Sequence, residues 1–379
     1  MTDPSDPSAR ARARDLGIRL GRLPPGRWNA ITDVAGVQVG HTTLITGDGR
    51  GAVRTGVTVV LPHADNVGAD PVFAGFHILN GNGEMTGLAW LDESGFLTTP
   101  IALTNTHSVG VVRDALVAYQ VAYEGGDSAF SWSLPVVAET WDGFLSDING
   151  MHVRPEHVFA ALDRAASGPV AEGSVGGGTG MICHGFKGGI GTSSRVLAAD
   201  EGGWTVGVLV QANYGSRDAL RIDGVPVGQE IAAGEVPLPW ASPSDSGSII
   251  IVVATDAPLL PTQCRRLAQR ATVGLARMGG TGANSSGDIF LAFSTANRGL
   301  YREGAVTLPV TMLPNEAMTT LFEAVAEATE EAIVNALSTA TTMTGLYGRI
   351  AYALPLERLL EVMRHYRRLQ AGRGVAERG

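Results

Sequence analysis

A serine stands at an abrupt junction in the sequence, where the polar segment SPSDSGS gives way to the apolar run IIIVVA. Ser248 follows Gly247 directly before that run, so a hydroxyl group lies at the start of a predicted strand. A serine hydroxyl is a weak nucleophile until a nearby base or a polarising environment activates it. Glycine and serine are also ordinary residues of a loop-to-strand junction, so the junction alone does not decide between chemistry and a turn.

Short polar clusters elsewhere in the chain contain groups that could act with this serine. They are LNGNGE at 79–84, AETWDGFLSDING at 138–150, QANYG at 211–215 and GGTGANSSGDI at 279–289. Each cluster alone is also typical of a turn. QANYG and NSSGD, however, flank predicted apolar strands, where a rigid scaffold can aim side chains.

Several familiar site motifs are absent. The glycine-rich passage at 172–194 lacks both the Gly-Lys-Ser/Thr of a P-loop and the third glycine of a dinucleotide fingerprint. No G-x-S-x-G nucleophile elbow occurs. His152 and His157 are five positions apart and do not share a helix face, and a catalytic metal typically needs three convergent ligands. We therefore expect no metal and no cofactor.

Composition bounds the class of protein and its partners. The chain has 379 residues, of which 44% are hydrophobic and 17% charged, so it can bury a large core. Its net charge of -9 argues against a nucleic-acid partner, because such affinity comes largely from Lys and Arg. No apolar run reaches the roughly 18 residues of a membrane span, and the first residues lack the apolar core of a signal peptide. With only two cysteines, the sequence predicts a soluble, cytoplasmic protein without a membrane partner.

The elements that would position these groups can be read from periodicity. Helices are predicted at 109–123, 155–166, 261–277, 316–338 and 355–370, and strands at 204–215, 248–254 and 289–294. The strand after Ser248 is apolar on both faces, which favours a sheet covered on both sides and hence a layered α/β fold. Residues 1–14 are predicted to be a disordered tail, and 216–247 a long surface connection.

Seven long strings are far more specific than any of these short motifs. They are GRWNAITDVAGVQVGHTTL, FAGFHILNGNGEMTG, TNTHSVGVVRDAL, AETWDGFLSDINGMHV, GGGTGMICHGFKGGIGTSSR, VLVQANYG and GSIIIVVATDAPLLPTQCRRLAQRA. They are distributed between residues 26 and 271. The whole pattern resembles the self-processing aminopeptidases that include the L-aminopeptidase D-amidase/esterases and the β-peptidyl aminopeptidases. This resemblance covers nearly the whole chain except the first 14 and the last few residues.

The resemblance implies a chain that cuts itself between Gly247 and Ser248, which makes Ser248 the N-terminal nucleophile of the second fragment. A single catalytic domain, 15–379, would then consist of an α fragment ending at 247 and a β fragment, 248–379. The free α-amine of the new terminus could activate its own hydroxyl, so no histidine is required. The implied fold is a four-layer αββα sandwich, similar to N-terminal nucleophile hydrolases but with different connectivity. The implied assembly is a homotetramer of processed heterodimers.

The same resemblance implies roles for residues in the polar clusters. Ser286 and Asp288 would hydrogen-bond the nucleophile and its amine and tune their protonation. The amide of Asn213 would donate to the oxyanion of the tetrahedral intermediate. Glu139 would receive the free amino group of a short peptide, amide or ester substrate. Relatives often have tyrosine where this chain has Trp141, whose indole N–H could replace a tyrosine hydroxyl only from a different position.

Other functions remain open at this point. A hydrolase of another linear amide, such as nylon oligomers, and the self-cleaving ornithine acetyltransferases are both expected to use threonine, and Ser248 weighs against them. A ligand-binding relative without catalysis is a further alternative. The preference among L-α-, D- and β-amino residues is undecided, because such pocket differences are worth only about 1–3 kcal/mol.

Overall fold

The computed structural model describes residues 10–123, 132–240, 247–302 and 304–369. The strands are β1 (Gln38–Thr46), β2 (Val53–Leu61), β3 (Val72–Gly81), β4 (Phe96–Leu97), β5 (Ile101–Asn105), β6 (Val136–Thr140), β7 (Ile182–Cys183), β8 (Phe186–Lys187), β9 (Gly189–Val196), β10 (Thr205–Asn213), β11 (Gly247–Thr255), β12 (Ser286–Ser294), β13 (Met343–Thr344) and β14 (Ile350–Ala351). The helices are α1 (Leu88–Ser94), α2 (Val109–Tyr123), α3 (Pro155–Asp163), α4 (Val227–Glu230), α5 (Pro261–Arg277), α6 (Thr319–Thr339) and α7 (Leu356–His365).

The long strands form two sheets. One has four strands in the order β1-β2-β5-β6, and the other has six in the order β4-β3-β12-β11-β10-β9. In the larger sheet β11 and β12 are parallel, whereas their other neighbours pair antiparallel. Parallel neighbours need a crossover rather than a hairpin, and α5 supplies it. The start of β11 therefore lies beside the start of β12, with the end of β10 on its other side.

Three buried apolar clusters show how the layers stack. The first joins the four-stranded sheet to α2 and α3. The second lies between the two sheets, and the third joins the six-stranded sheet to α5 and α6. The order is helices, sheet, sheet, helices, which confirms the predicted αββα sandwich. Among the described residues, no helix is both long and apolar enough to cross a bilayer.

The apolar run after Ser248 is explained by this position between two layers. Side chains alternate between the faces of a strand, so a strand covered on both sides has apolar residues throughout. Burial of each such side chain contributes about 1.5–3 kcal/mol. Toward the helices point Ile249, Ile251 and Val253, and toward the other sheet Ile250, Val252 and Ala254.

Close approach of helices to strands accounts for part of the high glycine content. A Cβ added to Gly191 of β9 would overlap the carbonyl oxygen of Ala332 in α6. A Cβ on Gly40 of β1 would likewise overlap the carbonyl oxygen of Ala161 in α3. Glycine lets the backbones meet where any side chain would hold them apart.

The predicted elements are largely confirmed. The observed bounds of α2 and α5 equal the predicted ones, while α3 and α7 are shorter and α6 begins three residues later. Observed β10 is three residues shorter than the predicted strand, whereas β11 and β12 contain the predicted strands and extend beyond them by up to three residues. Helix ends depend on capping contacts that periodicity does not reveal, which explains why the ends differ more than the centres.

The predicted disordered tail is wrong for its last five residues. The main-chain N–H of Ala13 donates to Asn335 Oδ1 at 2.9 Å, and Arg14 forms an ion pair with the buried Glu331 at 2.8 Å. Arg10 donates to the carbonyl oxygen of Leu354 at 3.0 Å. The contacts of Ala13 and Arg14 hold this segment against α6, while Arg12 donates to the carbonyl oxygens of Trp28, Asn29 and Thr192. Residues 1–9 of the predicted tail lie outside the described residues.

The segment after β10 is not a surface connection. Six of its apolar side chains are buried in the same core cluster as residues of α5 and α7, namely Leu220, Ile222, Val225, Val227, Ile231 and Val236. Besides the short helix α4, the guanidinium of Arg217 holds the segment in place. Arg217 donates to four main-chain carbonyl oxygens, those of His184, Gly185, Ile231 and Val236, at 2.7–3.2 Å. Apolar residues without a period gave no sign of this burial. Residues 241–246 of the predicted connection lie outside the described residues.

Candidate active site

Ser248 lies near the N-terminal end of β11, an inner strand of the six-stranded sheet, between β10 and β12. It pairs with Asn213 of β10 on one side and with Gly287 of β12 on the other. Its hydroxyl donates to the carbonyl oxygen of Gly247 at 2.7 Å and accepts from the N–H of Gly287 at 3.2 Å. The Ser248 hydroxyl therefore touches the carbonyl group that precedes it in the chain.

Residue 247 must be glycine in this arrangement. Its φ of 151° is a conformation that side-chain-bearing residues rarely adopt. A Cβ there would also overlap the carbonyl oxygen of Asn213 and lie 2.7 Å from Cα of Tyr214. The peptide group before Ser248 is thus held in a backbone geometry that depends on the absence of a side chain.

Ser286 and Asp288 lie on β12 on either side of Gly287, the residue that pairs with Ser248. In the register of the parallel pair, Gly247 lies opposite Ser286 and Ile249 opposite Asp288. Ser286 donates its hydroxyl hydrogen to Asp288 Oδ1 at 2.7 Å. The structure places both residues on the strand beside Ser248. In the continuous chain, however, the Ser248 hydroxyl bonds to main-chain groups rather than to either side chain.

Burial controls the charge of Asp288. Removal of the carboxylate from water raises its pKa to about 6, although hydrogen bonds from Ser286 and from the main-chain N–H of Ile249 oppose that rise. The group can therefore change its protonation near neutral pH, as a residue that tunes a nucleophile or an amine must do.

We expect the free energy of unfolding of the uncut chain to depend on pH because the pKa of Asp288 is raised in the folded state. Between the ordinary value of 3.8 and about 6, folded Asp288 keeps a proton that the unfolded chain has lost. The stabilising contribution of Asp288 is therefore greatest below the ordinary pKa and decreases as pH rises through about 6, by on the order of 3 kcal/mol. Urea unfolding of a Ser248→Ala chain at several pH values would measure the decrease.

Asp288→Asn in the same Ser248→Ala background is the control for that prediction. Asparagine does not titrate. As pH rises, the unfolding free energy of the chain that keeps Asp288 should therefore fall relative to that of the Asp288→Asn chain. Other buried carboxylates contribute equally to both chains and cancel. A pH-independent difference would contradict the raised pKa of Asp288.

Asn213 is oriented without ambiguity by its two partners. Its Oδ1 accepts from the N–H of Ile182 at 2.8 Å, and its Nδ2 donates to the carbonyl oxygen of Trp141 at 3.1 Å. An N–H can only donate and a carbonyl can only accept, so the amide cannot be flipped. The second Nδ2 hydrogen remains for a group in the adjoining cavity.

Glu139 reaches the cavity from the other sheet, near the end of β6. It is 3% exposed, its Oε1 accepts from the N–H of Glu84 at 3.0 Å, and its Oε2 accepts from the hydroxyl of Thr106. Burial raises its pKa, against the effect of these two hydrogen bonds. A carboxylate held in this way can accept a charge-assisted hydrogen bond from an ammonium group.

These groups meet at one cavity of about 450 Å³. Trp141 is 48% exposed at its rim, and Phe144 packs edge-on against Trp240 with ring centroids 5.6 Å apart. The cavity thus combines carboxylate and amide groups with aromatic walls, and its size suits a short ligand. Its lining consists of Asn82, Gly83, Glu84, Thr106, Glu139, Trp141, Phe144, Gly180, Ile182, Asn213, Trp240, Gly247, Ser248 and Ser285.

Comparison with known proteins places the chain in a family. Residues 29–351 match the model of peptidase family S58. The chain belongs to that family, and it is therefore a peptide hydrolase. The chain is similar to the beta-peptidyl aminopeptidase BapA of Sphingosinicella microcystinivorans, with 51% identity over 96% of this chain and 94% of that protein.

Two solved structures that are similar in sequence have the same fold. A Burkholderia sp. beta-aminopeptidase is 57% identical, with a TM-score of 0.88 over 94% of this chain and 99% of that one. The L-aminopeptidase D-Ala-esterase/amidase of Ochrobactrum anthropi is 47% identical, with a TM-score of 0.87 over 95% and 99%. That structure is described as a prototype for the serine aminopeptidases and a new variant of the Ntn hydrolase fold. The resemblance and the fold class are both confirmed.

Several groups at this site could not be found from side-chain types. The N–H groups of Gly287 and Ile182 contact Ser248 and Asn213, and main-chain groups leave no signal in a sequence. Trp141 contacts Asn213 through its carbonyl oxygen rather than through the indole considered from the sequence. Thr106, in the string TNTHSVG, is a side-chain partner that spacing gave no reason to select.

Within the described residues, no group of three or more His, Cys, Asp or Glu side chains could hold a metal ion. The two cysteines, Cys183 and Cys264, are free and buried.

Proposed function

We propose that this member of peptidase family S58 is a self-processing serine aminopeptidase or amidase whose nucleophile is Ser248. The observation that carries the proposal is the 2.7 Å contact between the Ser248 hydroxyl and the Gly247 carbonyl oxygen, beside a cavity with a buried carboxylate. Its substrates would be short peptides, amides or esters with a free N-terminal amino group.

Self-cleavage would begin with an acyl shift. The Ser248 oxygen attacks the Gly247 carbonyl carbon, an ester bond forms, the peptide C–N bond breaks, and the hydroxyl proton passes to the new amine. Water then hydrolyses the ester and leaves Gly247 as a carboxylate and Ser248 as an N-terminal residue. The glycine-dependent backbone at 247 supports the first step, because it leaves the carbonyl open to the hydroxyl.

Hydrolysis of a substrate would reuse the same atoms. The α-amine of the new terminus takes the Ser248 proton as the oxygen attacks the substrate carbonyl, and it returns the proton to the leaving amine. The resulting oxyanion would accept a hydrogen bond from the second Nδ2–H of Asn213. Asp288, polarised by Ser286, would set the protonation of the amine. The acyl-enzyme is finally hydrolysed by water.

Denaturing mass spectrometry of the purified protein tests the proposal directly. Two fragments, residues 1–247 and 248–379, are the expected result. An intact chain that hydrolyses no amide or ester would contradict it. A chain that stays intact but binds ligands would instead favour a binding protein that has kept the fold.

Substrate preference follows from the relatives only as a proposal. The names of BapA and of the Burkholderia enzyme support β-amino residues as the first class to test. The Ochrobactrum enzyme's name supports the L- and D-amino alternatives. p-Nitroanilides of β-, L- and D-alanine distinguish the three. A cytoplasmic homotetramer of processed heterodimers belongs to the same proposal, and native mass spectrometry would test its assembly.

We expect Glu139→Gln to weaken recognition of the substrate amine. A charge-assisted hydrogen bond is worth about 1.5–3 kcal/mol, so kcat/KM should fall by about 10- to 100-fold, mainly through KM. Gln can still accept from Glu84 N–H and contact the Thr106 hydroxyl, so the fold should persist. Steady-state kinetics on a free-amine p-nitroanilide and its N-acetylated analogue would measure the effect.

Glu84→Gln is the matched control for that variant. The Glu84 side chain also lines the cavity, but it is exposed. A smaller loss for Glu84→Gln would show that the buried carboxylate acts specifically rather than through net negative charge. Equal losses would contradict the role proposed for Glu139.

A further inference from the structure

A fully buried lysine lies behind the oxyanion side of the cavity. Lys187 of β8 is 0% exposed, and its Nζ donates to the carbonyl oxygens of Gly178, Met181 and Gly188 at 3.3, 2.9 and 2.7 Å. Burial lowers its pKa to about 7. The nearby Cys183 thiol stays neutral, because burial raises its pKa to about 12. No carboxylate among the described residues forms an ion pair with Lys187. A buried ammonium without such a partner is costly, so its presence requires a reason.

One of the three acceptors of Lys187, the carbonyl oxygen of Met181, belongs to a peptide group that contacts Asn213. The carbonyl of Met181 and the N–H of Ile182 belong to the same peptide group. The Lys187 ammonium binds the oxygen end of that group, and the nitrogen end donates to Asn213 Oδ1 at 2.8 Å. A single rigid peptide unit therefore connects the buried charge to the amide that faces Ser248 across the strand pair.

We propose that Lys187 is a positioning residue for the oxyanion site, acting on Asn213 through the Met181–Ile182 peptide group. The inference rests on the proposed function. A positive charge at the carbonyl oxygen of a peptide strengthens its N–H as a donor, and hydrogen bonds in such chains polarise one another. Asn213 Oδ1 accepts from that N–H, so the opposite Nδ2–H becomes a better donor toward the cavity.

The composition of the surrounding loop indicates what the ammonium adds to the main-chain hydrogen bonds of this peptide. Residues 176–189 are rich in glycine, whose backbone has many accessible conformations. Three carbonyl groups that converge on one ammonium restrict the segment from Gly178 to Gly188. Asn213 would otherwise be free to rotate its amide, because the bond to the Trp141 carbonyl anchors only Nδ2.

Lys187→Met is the variant that tests the proposal. Methionine has a similar length and no charge. Two of the three acceptors keep main-chain partners, because Met181 O accepts from Gly188 N at 2.8 Å and Gly178 O from Met181 N at 3.3 Å. We expect the fold to persist while kcat per cut chain falls about tenfold and KM stays within about twofold.

Met363→Ala is the control for destabilisation. Met363 is fully buried in α7, away from the cavity, and its truncation should lower the melting temperature without lowering kcat. If Lys187→Met changed kcat no more than Met363→Ala did, a positioning role for the lysine would be excluded.

A double-mutant cycle locates the effect. If Lys187 acts through Asn213, adding Lys187→Met to Asn213→Ala should cause no further loss of kcat. A second, additive tenfold loss would overturn the proposal. The wild-type enzyme must be cut and active for this comparison; an uncut and inactive wild type would contradict the proposed function instead.

NMR spectroscopy tests the proposal even if the Lys187→Met chain folds but remains uncut. In [15N]isoleucine-labelled protein, the Ile182 amide proton should resonate downfield in the wild type and move upfield in the variant. An Ile182→Val variant assigns the resonance. The same shift in both proteins would overturn the proposal whether or not either chain is cut. A Lys187→Met chain that does not fold leaves the wild-type spectrum as the test, and an Ile182 amide proton without a downfield shift would then overturn the proposal.

Discussion

Ser248→Ala is expected to yield one intact chain with no measurable hydrolysis. Alanine removes only the oxygen that would attack both the Gly247 carbonyl and the substrate carbonyl. Loss of a catalytic nucleophile typically costs at least about 10⁴-fold in kcat, and the uncut chain would also lack the N-terminal amine that serves as base. Cutting and hydrolysis should therefore disappear together.

The fold should tolerate this change well. Ser248 is buried, and its hydroxyl contacts two main-chain groups, Gly247 O and Gly287 N. Loss of such a hydrogen bond costs about 1 kcal/mol, a small part of the stability of a domain this size. Circular dichroism and thermal unfolding should remain close to those of the wild type, so inactivity cannot be attributed to unfolding.

Ser286→Ala supplies a matched comparison for Ser248→Ala. It removes a hydroxyl from the facing strand, where that hydroxyl contacts Asp288 rather than the Gly247 carbonyl. We expect slower cutting and reduced turnover, but not the loss of both. Mass spectrometry and p-nitroanilide hydrolysis measure the two effects. Cutting or hydrolysis by Ser248→Ala chains would disprove the assignment of the nucleophile.

Much of the layered fold could be predicted because its signals are local. Amphipathic spacing located α2 and α5, and the unbroken apolar run of β11 indicated a strand covered on both faces. The segment that follows β10 had no such signal, because its apolar residues have no period. Arg217 holds it through main-chain carbonyls that lie apart in the sequence.

Several side chains of the candidate site could be predicted from the sequence, whereas its main-chain groups could not. The long strings that resemble the family contain Ser248, Ser286, Asp288, Asn213 and Glu139, and the structure brings all five to one place. What a sequence cannot display is the direction of a peptide group. The contacts of Gly287 N and Ile182 N are set by strand register and by the glycine-rich loop, and both depend on the completed fold.

The role of Asn213 leads to the second large expected effect. Asn213→Ala removes the Nδ2–H that faces the cavity, and removal of one oxyanion donor typically lowers kcat by about 10²–10³-fold. Such a donor acts on charge that develops only in the transition state, so KM should change little. Kinetics per mole of cut chain would measure the loss, since cutting of the variant can also be slow.

Gln211→Ala separates this effect from the loss of any buried amide. Gln211 lies two residues earlier on the same face of β10, and its Nε2 donates to Thr104 O at 2.9 Å and Thr140 Oγ1 at 2.8 Å. It does not line the cavity. Both variants remove a buried amide from one strand, so both should lower stability, but only Asn213→Ala should lower kcat. Equal losses of kcat would mean that the strand's packing, rather than a donor to the oxyanion, is what the reaction requires of Asn213.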